Sequence, residues 1–491
     1  MSPQKPRSNH RVDEIRAGLD HPIIDSDGHV IEFLPAVCDH LKELAGQDVV
    51  DRFNVVIGSA ELTRGMDPGK KRELGIMRMP WWGLPTRNTL DRATAMLPQL
   101  MYDRLDEIGL DFAVLYPTYG LFTMSLDDDE VRQAASRAFN EYQAETFRPY
   151  GDRLTPVAII PMHTPEEAIE ALDHAVLTCG LKAAMVAGHV MRPFAGVTHR
   201  KARWMDTFCL DSAYDYDPVW ARFSELGIAP TFHSSGMGWG SRDSVTNYVF
   251  NHLGNFATAG EAICRALFLG GVPWRFPELR FAFLEGGVGW AANLYSDIIG
   301  HWEKRNPKQI QHYNPANLDR EQLVDLFKRY GTSAMTDRID RLGEGLNFLS
   351  EPDEDPAGLD EFSACEIGSA EDIRKVFEQQ FHFGCEADDP MNAAAFNTKQ
   401  NPLGARLPAI FSSDIGHWDV PDMREVLKEA WELVDDGVLT TADFRAFVFE
   451  NPVSLWASSN PDFFKGTVVE DAVAKQLAAA SGPKGLRRRQ A

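Results

Sequence analysis

Ile23-Ile24-Asp25-Ser26-Asp27-Gly28-His29-Val30-Ile31-Glu32 is the stretch that decides how the rest of the chain reads. A short apolar run ends in an acid, a glycine and a histidine. On an extended strand, residues i and i+2 point the same way. The Asp27 carboxylate and the His29 imidazole therefore leave one strand end together. Divalent ions take both imidazole nitrogen and carboxylate oxygen, so the pair is half of a metal site. Gly28 between them reads as a tight backbone turn. Asp-x-His is a short spacing, and a turn acid beside a surface histidine reads it equally well. Its weight comes from what later strand ends add.

Seven further short apolar runs follow, at residues 111–116, 154–160, 182–187, 228–233, 280–285, 381–386 and 408–413. Most are followed by a segment with helical periodicity, as at 129–147, 164–180, 257–269, 290–303 and 423–433. Continuous apolar strands alternating with amphipathic helices predict a parallel sheet covered on both faces. Eight of them predict an α/β fold of the (β/α)8 TIM barrel type. An open doubly wound sheet is the alternative, but no G-x-G-x-x-G follows the first strand. Residues 1–20 read as an N-terminal arm, helical at 12–18. Residues 21–470 read as the barrel, with large insertions after strands 1 and 6 at 33–94 and 306–369, and 471–491 as a C-terminal tail. Trp81 and Trp82 read as packing under the first insertion, and the acidic run at 351–356 falls in the second.

The chain has 491 residues, 44% hydrophobic and 10% aromatic, enough for one large core. A net charge of −23 sets it against nucleic acid and anionic membrane as partners. No apolar run reaches a membrane span, and the polar N-terminus does not read as a secretory signal. The six cysteines lack C-x-x-C spacing and read as free thiols of a cytoplasmic protein. A homo-oligomer, a dimer, is expected of so large a barrel, with a small molecule as substrate.

In a (β/α)8 barrel the chemistry lies where strands end. Those ends offer Asp27 and His29; Tyr116, Thr118 and Tyr119; His189; His233; Glu285; Glu386, Asp388 and Asp389; and Asp414, His417 and Asp419. So many carboxylates and imidazoles are hard to bury unpaired, and a bound cation pairs them. His29, His233, Asp27 and Asp414 are the strongest ligand candidates, with Glu285 next. His417 reads as support or substrate contact. His189 is expected to face solvent. Glu32, Glu386, Asp388 and Asp389 read as supporting or helix-capping acids. His252, Trp239 and Tyr119 read as core more than as substrate contacts.

Asp27-Gly28-His29-Val30-Ile31-Glu32, Thr231-Phe232-His233, the run from Phe276-Pro277-Glu278 to Glu285-Gly286-Gly287-Val288-Gly289-Trp290, Ser413-Asp414-Ile415-Gly416-His417-Trp418-Asp419 and Glu450-Asn451-Pro452 together resemble the amidohydrolase superfamily. The branch is amidohydrolase family 2, related to aminocarboxymuconate-semialdehyde decarboxylase. The resemblance implies that Asp27, His29, His233 and Asp414 bind metal and that Asp414 takes the proton from metal-bound water. Where the decarboxylases of that branch place a histidine, this chain has Glu285. A carboxylate there implies a ligand, a bridge between two ions, or a general base. The expected activity is accordingly hydrolysis of an amide, ester or thioester bond, acyl-CoA type included. Water activated on one or two divalent ions would attack, with zinc or iron ahead of manganese or cobalt, and Asp414, Glu285 and His417 as catalytic groups. The alternatives are non-oxidative decarboxylation of an aromatic or unsaturated acid, and a non-catalytic scaffold stabilised by metal.

Overall fold

A computed structural model of the chain describes residues 10–63, 65–78, 86–197, 202–346 and 358–480. The expectations for Trp81, Trp82 and the acidic run at 351–356 lie outside the described residues.

Eight parallel strands form the barrel predicted above, in the order Ile24–Val30, Phe112–Pro117, Leu154–Ile160, Ala183–Val186, Pro230–Phe232, Phe281–Phe283, Phe381–Glu386 and Ala409–Ser412. Each pairs with the next in chain order. The last returns to the first through the Asp414 N–H, which donates to the Asp27 carbonyl at 3.1 Å, and the His29 N–H, which donates to Ile415 at 2.8 Å. Helices cover the outer face, so the strands are buried along almost their whole length. That is why they read as apolar runs and not as alternation.

The first strand extends to Val30, three residues beyond the expected end at Asp27. Asp27 and His29 therefore project from the strand itself. Gly28 is not in the left-handed region and makes no turn. The strand slips register between Asp25 and Gly28. A Cβ at Gly28 would stand 2.7 Å from Asp25 Oδ2 and 3.1 Å from both Leu115 and Ile415. The glycine is required by close approach across the barrel interior and not by backbone freedom.

The first insertion is helical at Leu34–Ala45, Gln47–Thr63, Pro68–Glu73 and Thr89–Thr94. The second carries helices Arg320–Tyr330 and Ser333–Thr336. A hairpin of Val190–Pro193 and Arg203–Asp206, after the fourth strand, is absent from the sequence expectation. Its strands are too short and too charged to show a period. Arg192 ties it to the barrel, donating to Asp206 Oδ2 at 2.9 Å, to the His163 carbonyl at 2.7 Å and to Tyr216 Oη at 2.9 Å. The N-terminal helix His10–Ala17 buries Val12 and Ile15, and Glu470–Ala480 is helical at the other end. All six cysteines are free. Among the described residues no helix is long and apolar enough to cross a membrane.

Candidate metal centre

The C-terminal ends of strands one, five, six and eight bring His29, His233, Glu285 and Asp414 to one point. His29 Nε2 lies 3.3 Å from His233 Nε2, 3.0 Å from Glu285 Oε1, 3.4 Å from Asp414 Oδ1 and 3.6 Å from Asp27 Oδ1. Glu285 Oε1 is also 3.2 Å from His233 Nε2 and 3.3 Å from His417 Nδ1. His417 Nδ1 reaches Asp414 Oδ1 at 2.6 Å, and its ring stacks on His29 with centroids 3.5 Å apart. Two overlapping donor groups result: Asp27, His29, His233 and Glu285, and His29, Glu285, Asp414 and His417. All six side chains are almost wholly removed from solvent.

The backbone is bent to achieve this. Glu285 and Asp414 each follow the last residue of their strand by two, and both take positive φ, +55° and +51°. Such a conformation costs a non-glycine residue on the order of 1–3 kcal/mol and persists only where the surroundings impose it. It turns both carboxylates back over the barrel mouth.

The electrostatics of the centre call for a cation. Burial, then Glu285 and Asp25, pushes the Asp27 carboxyl well above the usual carboxylate range. Burial, then Asp419 and Glu285, does the same to Asp414. Burial works against the Glu285 charge too, but the imidazoles of His233, His29 and His417 hold it well below its ordinary value. His29 is pushed well below its own by burial and His417. Both oxygens of Asp27 are buried without a hydrogen-bond donor, and Asp414 Oδ1 and Glu285 Oε1 face the clustered imidazoles. Orphaned carboxylate oxygens grouped with imidazole nitrogens at these spacings fit a divalent ion, and the mixed N/O set suits manganese, iron, zinc or cobalt.

A second layer holds the donors. Asp25, two residues before Asp27, accepts from the Ser413 N–H at 3.0 Å and the Asp27 N–H at 3.2 Å, and from the Ser413 hydroxyl. It locks strand one to strand eight beneath the site. Sequence reading gave Asp25 no role, although the same two-residue period that picked out Asp27 and His29 points to it. Glu32 accepts the N–H groups of Thr118, Tyr119 and Gly120 at 3.2, 2.9 and 3.0 Å. Thr118 Oγ1, so placed, lies 3.3 Å from His417 Nε2. Tyr119 thus contributes its backbone to this clamp.

Other expectations need correction. His189 does not face solvent: it packs edge-on against Trp239, centroids 5.2 Å apart, and burial lowers it to about 4. Asp389 does cap a short helix as expected, accepting from the Met391 N–H at 2.8 Å. His252 is not core. It stands in an aromatic wall with Phe256, Trp418 and Tyr248, and Phe256 lies edge-on to His233 at 5.5 Å. Phe256 and Tyr248, which lie in two helices between strands five and six, carried no sequence signal.

Glu386 ends strand seven level with Ser412 of strand eight. Burial, with Asp419, Glu285, Asp388 and Asp389, raises it from 4.5 to about 8. A raised carboxylate means that the folded chain keeps a proton the unfolded chain has released. The stability it brings is full below the unfolded value near 4.5 and is lost as pH rises to about 8. The melting temperature of metal-free protein should therefore fall from about pH 5 to pH 8, and Glu386→Gln should flatten the fall. Equal slopes in both proteins would exclude Glu386 as the source.

A family model described as amidohydrolase matches residues 24–330. A search of curated protein sequences finds no match. Among solved structures, an amidohydrolase from Mycobacterium avium subsp. paratuberculosis K-10 is similar at 18% identity and TM-score 0.50, over 89% of this chain and all of that one. A manganese-bound 5-carboxyvanillate decarboxylase from Novosphingobium aromaticivorans DSM 12444 is similar at 12% identity and TM-score 0.50, over 89% and 97%. A 2,6-dihydroxybenzoate decarboxylase from Rhizobium shares 14% identity at TM-score 0.46, over 89% and 98%. The likeness confirms the barrel. The expected cleavage of an amide, ester or thioester bond is corrected here: the structure at TM-score 0.50 that is named for a reaction is a decarboxylase.

Proposed function

The chain belongs to the amidohydrolase family, and on that premise we propose that it is a metal-dependent, non-oxidative decarboxylase of an aromatic or unsaturated carboxylic acid. The observation that carries this reading is the run of rings Tyr248, Trp418, His252 and Phe256, which meets His233 of the donor cluster through Phe256. Flat rings stack and meet edge-on with such walls, which orients a planar acid without charge. The manganese in the solved 5-carboxyvanillate decarboxylase makes that ion the first to test here.

Asp27, His29, His233 and Glu285 would hold the ion. When bound, it supplies positive charge that draws electrons from the substrate and stabilises the charge that develops as carbon dioxide leaves. Asp414 then serves as the acid. Burial beside Asp419 and Glu285 favours its protonated form, as the reaction requires. As the carbon–carboxylate bond breaks, its electron pair stays on the ring or alkene carbon and takes the proton of Asp414. Carbon dioxide departs, and Asp414 is left ionised. His417, 2.6 Å from Asp414 and 3.3 Å from Thr118, returns a proton from solvent.

The test is carbon dioxide release. Manganese-loaded protein is mixed with a panel of hydroxybenzoic, aminobenzoic and cinnamic acids, and evolved gas is followed by mass spectrometry. Metal-dependent release from at least one acid is the expected result. No release from any, by protein shown to contain stoichiometric metal, would overturn the reading.

A further inference from the structure

The second insertion folds without a core. No side chain from residue 311 to 346 is buried, although the segment holds the helices Arg320–Tyr330 and Ser333–Thr336. A helix of that length is marginal alone in water and is held by what its apolar face covers. On Arg320–Tyr330, Leu323, Val324 and Phe327 are half-buried, and the helix packs on the segment's own turns Ser333–Thr336 and Ile339–Arg341. Gly331 makes that fold-back possible: a Cβ there would collide with the Phe327 carbonyl and stand 3.3 Å from Met335 Cβ. Another side of the helix is bare. Asp319, Gln322, Leu326 and Arg329 recur every three or four residues and share a face with Tyr330. All five are exposed, Leu326 at 45% and Tyr330 at 67%. The segment is rooted on the preceding helix by Arg305, which donates to Glu361 Oε2 at 2.6 Å and lies 5.5 Å from the Tyr313 ring.

Charge decides what covers that face. The chain carries 49 basic and 72 acidic side chains, and residues 311–346 hold five and six of them. Nearly all of the net charge of −23 therefore lies elsewhere. Two copies repel across most of their surfaces and not across this one. The bare face also carries opposite charges at its two ends, Asp319 at the start of the helix and Arg329 at its close. Among the described residues Arg329 has no acidic partner and lies 4.9 Å from the Tyr330 ring. Set antiparallel on a copy of itself, the face meets its own complement, as a two-fold contact requires. We propose that this face joins two copies of the chain, with Arg320–Tyr330 of each packed antiparallel about a two-fold axis near residue 324. Asp319 then meets Arg329 of the partner subunit at both ends, and Leu326 and Tyr330 are covered between them. A standard interface takes about 20–30 residues from each partner, and residues 311–346 supply that number. The contact is independent of the reaction assigned to the metal centre.

Sedimentation velocity of the full chain tests this. At micromolar concentration the unaltered protein should sediment as a dimer. Leu326→Asp should weaken the dimer by about 100-fold or more, because a two-fold axis counts every change twice. Leu177→Asp, at a leucine 64% exposed on the barrel, should leave it unchanged. Arg329→Glu should weaken it by about tenfold or more, with a smaller loss in high salt. Asp319 accepts from the Gln322 N–H at 2.8 Å, and asparagine caps a helix as well as aspartate does. Adding Asp319→Asn to Arg329→Glu therefore removes the facing charge and keeps the helix start, and association should recover most of what was lost. Circular dichroism establishes that each variant is folded. A monomeric unaltered chain, a dimer that Leu326→Asp leaves intact, equal loss in Leu177→Asp, or no recovery in the double variant overturns the proposal.

Discussion

Asp414→Asn should lower the rate of carbon dioxide release by about 10²- to 10⁴-fold, the range for loss of a positioned general acid. Asparagine keeps the shape, and its amide can still meet His417 Nδ1, which Asp414 approaches at 2.6 Å. It has no acidic proton to give to carbon. Metal content should stay near that of the unaltered protein, because Asp27, His29, His233 and Glu285 form a complete donor group without Asp414. In deuterium oxide the unaltered enzyme should place one deuteron at the carbon that lost carbon dioxide. A rate within about tenfold of normal would show that another group delivers the proton. A rate loss matched by metal loss would move Asp414 into the ligand set.

Glu285→Gln should weaken manganese binding by about 10- to 100-fold or more, since even changes behind the ligands have effects of that size. Glu285 is the only carboxylate common to both donor groups. Its Oε1 lies within 3.0–3.3 Å of three imidazoles, which are also what hold its charge against burial. Glutamine presents a neutral amide in the same +55° backbone. The ion then loses its most firmly ionised ligand. Elemental analysis after dialysis against graded chelator measures this, with stoichiometry as a second reading. His29 Nε2 belongs to both groups and can bind only one ion, so a single ion per chain is expected. Two ions in the unaltered protein, falling to one in Glu285→Gln, would make Glu285 a bridge. One ion with unchanged affinity would remove it from the ligand set.

Both carboxylates sit at positive φ, which no sequence pattern displays. Glu285 was legible as a carboxylate at the end of an apolar run, and it does lie there. Its direction was not, because its own left-handed backbone turned it toward His29 and His233. His417 is a different case. Its place three residues after Asp414 offered little, yet the tight approach to Asp414 and the stacking on His29 put it inside the donor cluster. Gly28 had the right residue and the wrong reason: room for Asp25 and not a turn.

Local chemistry alone determined the eight apolar strands, the helices between them and the acids and imidazoles at their ends. Burial on both faces and the two-residue strand period are written residue by residue along the chain. Only the tertiary structure decided which donors meet, that His189 packs on Trp239, and that His252, Phe256 and Trp418 form one run of rings beside His233. Those facts depend on where eight strand ends and the loops between them converge in space, a relation between residues hundreds of positions apart that no local pattern encodes.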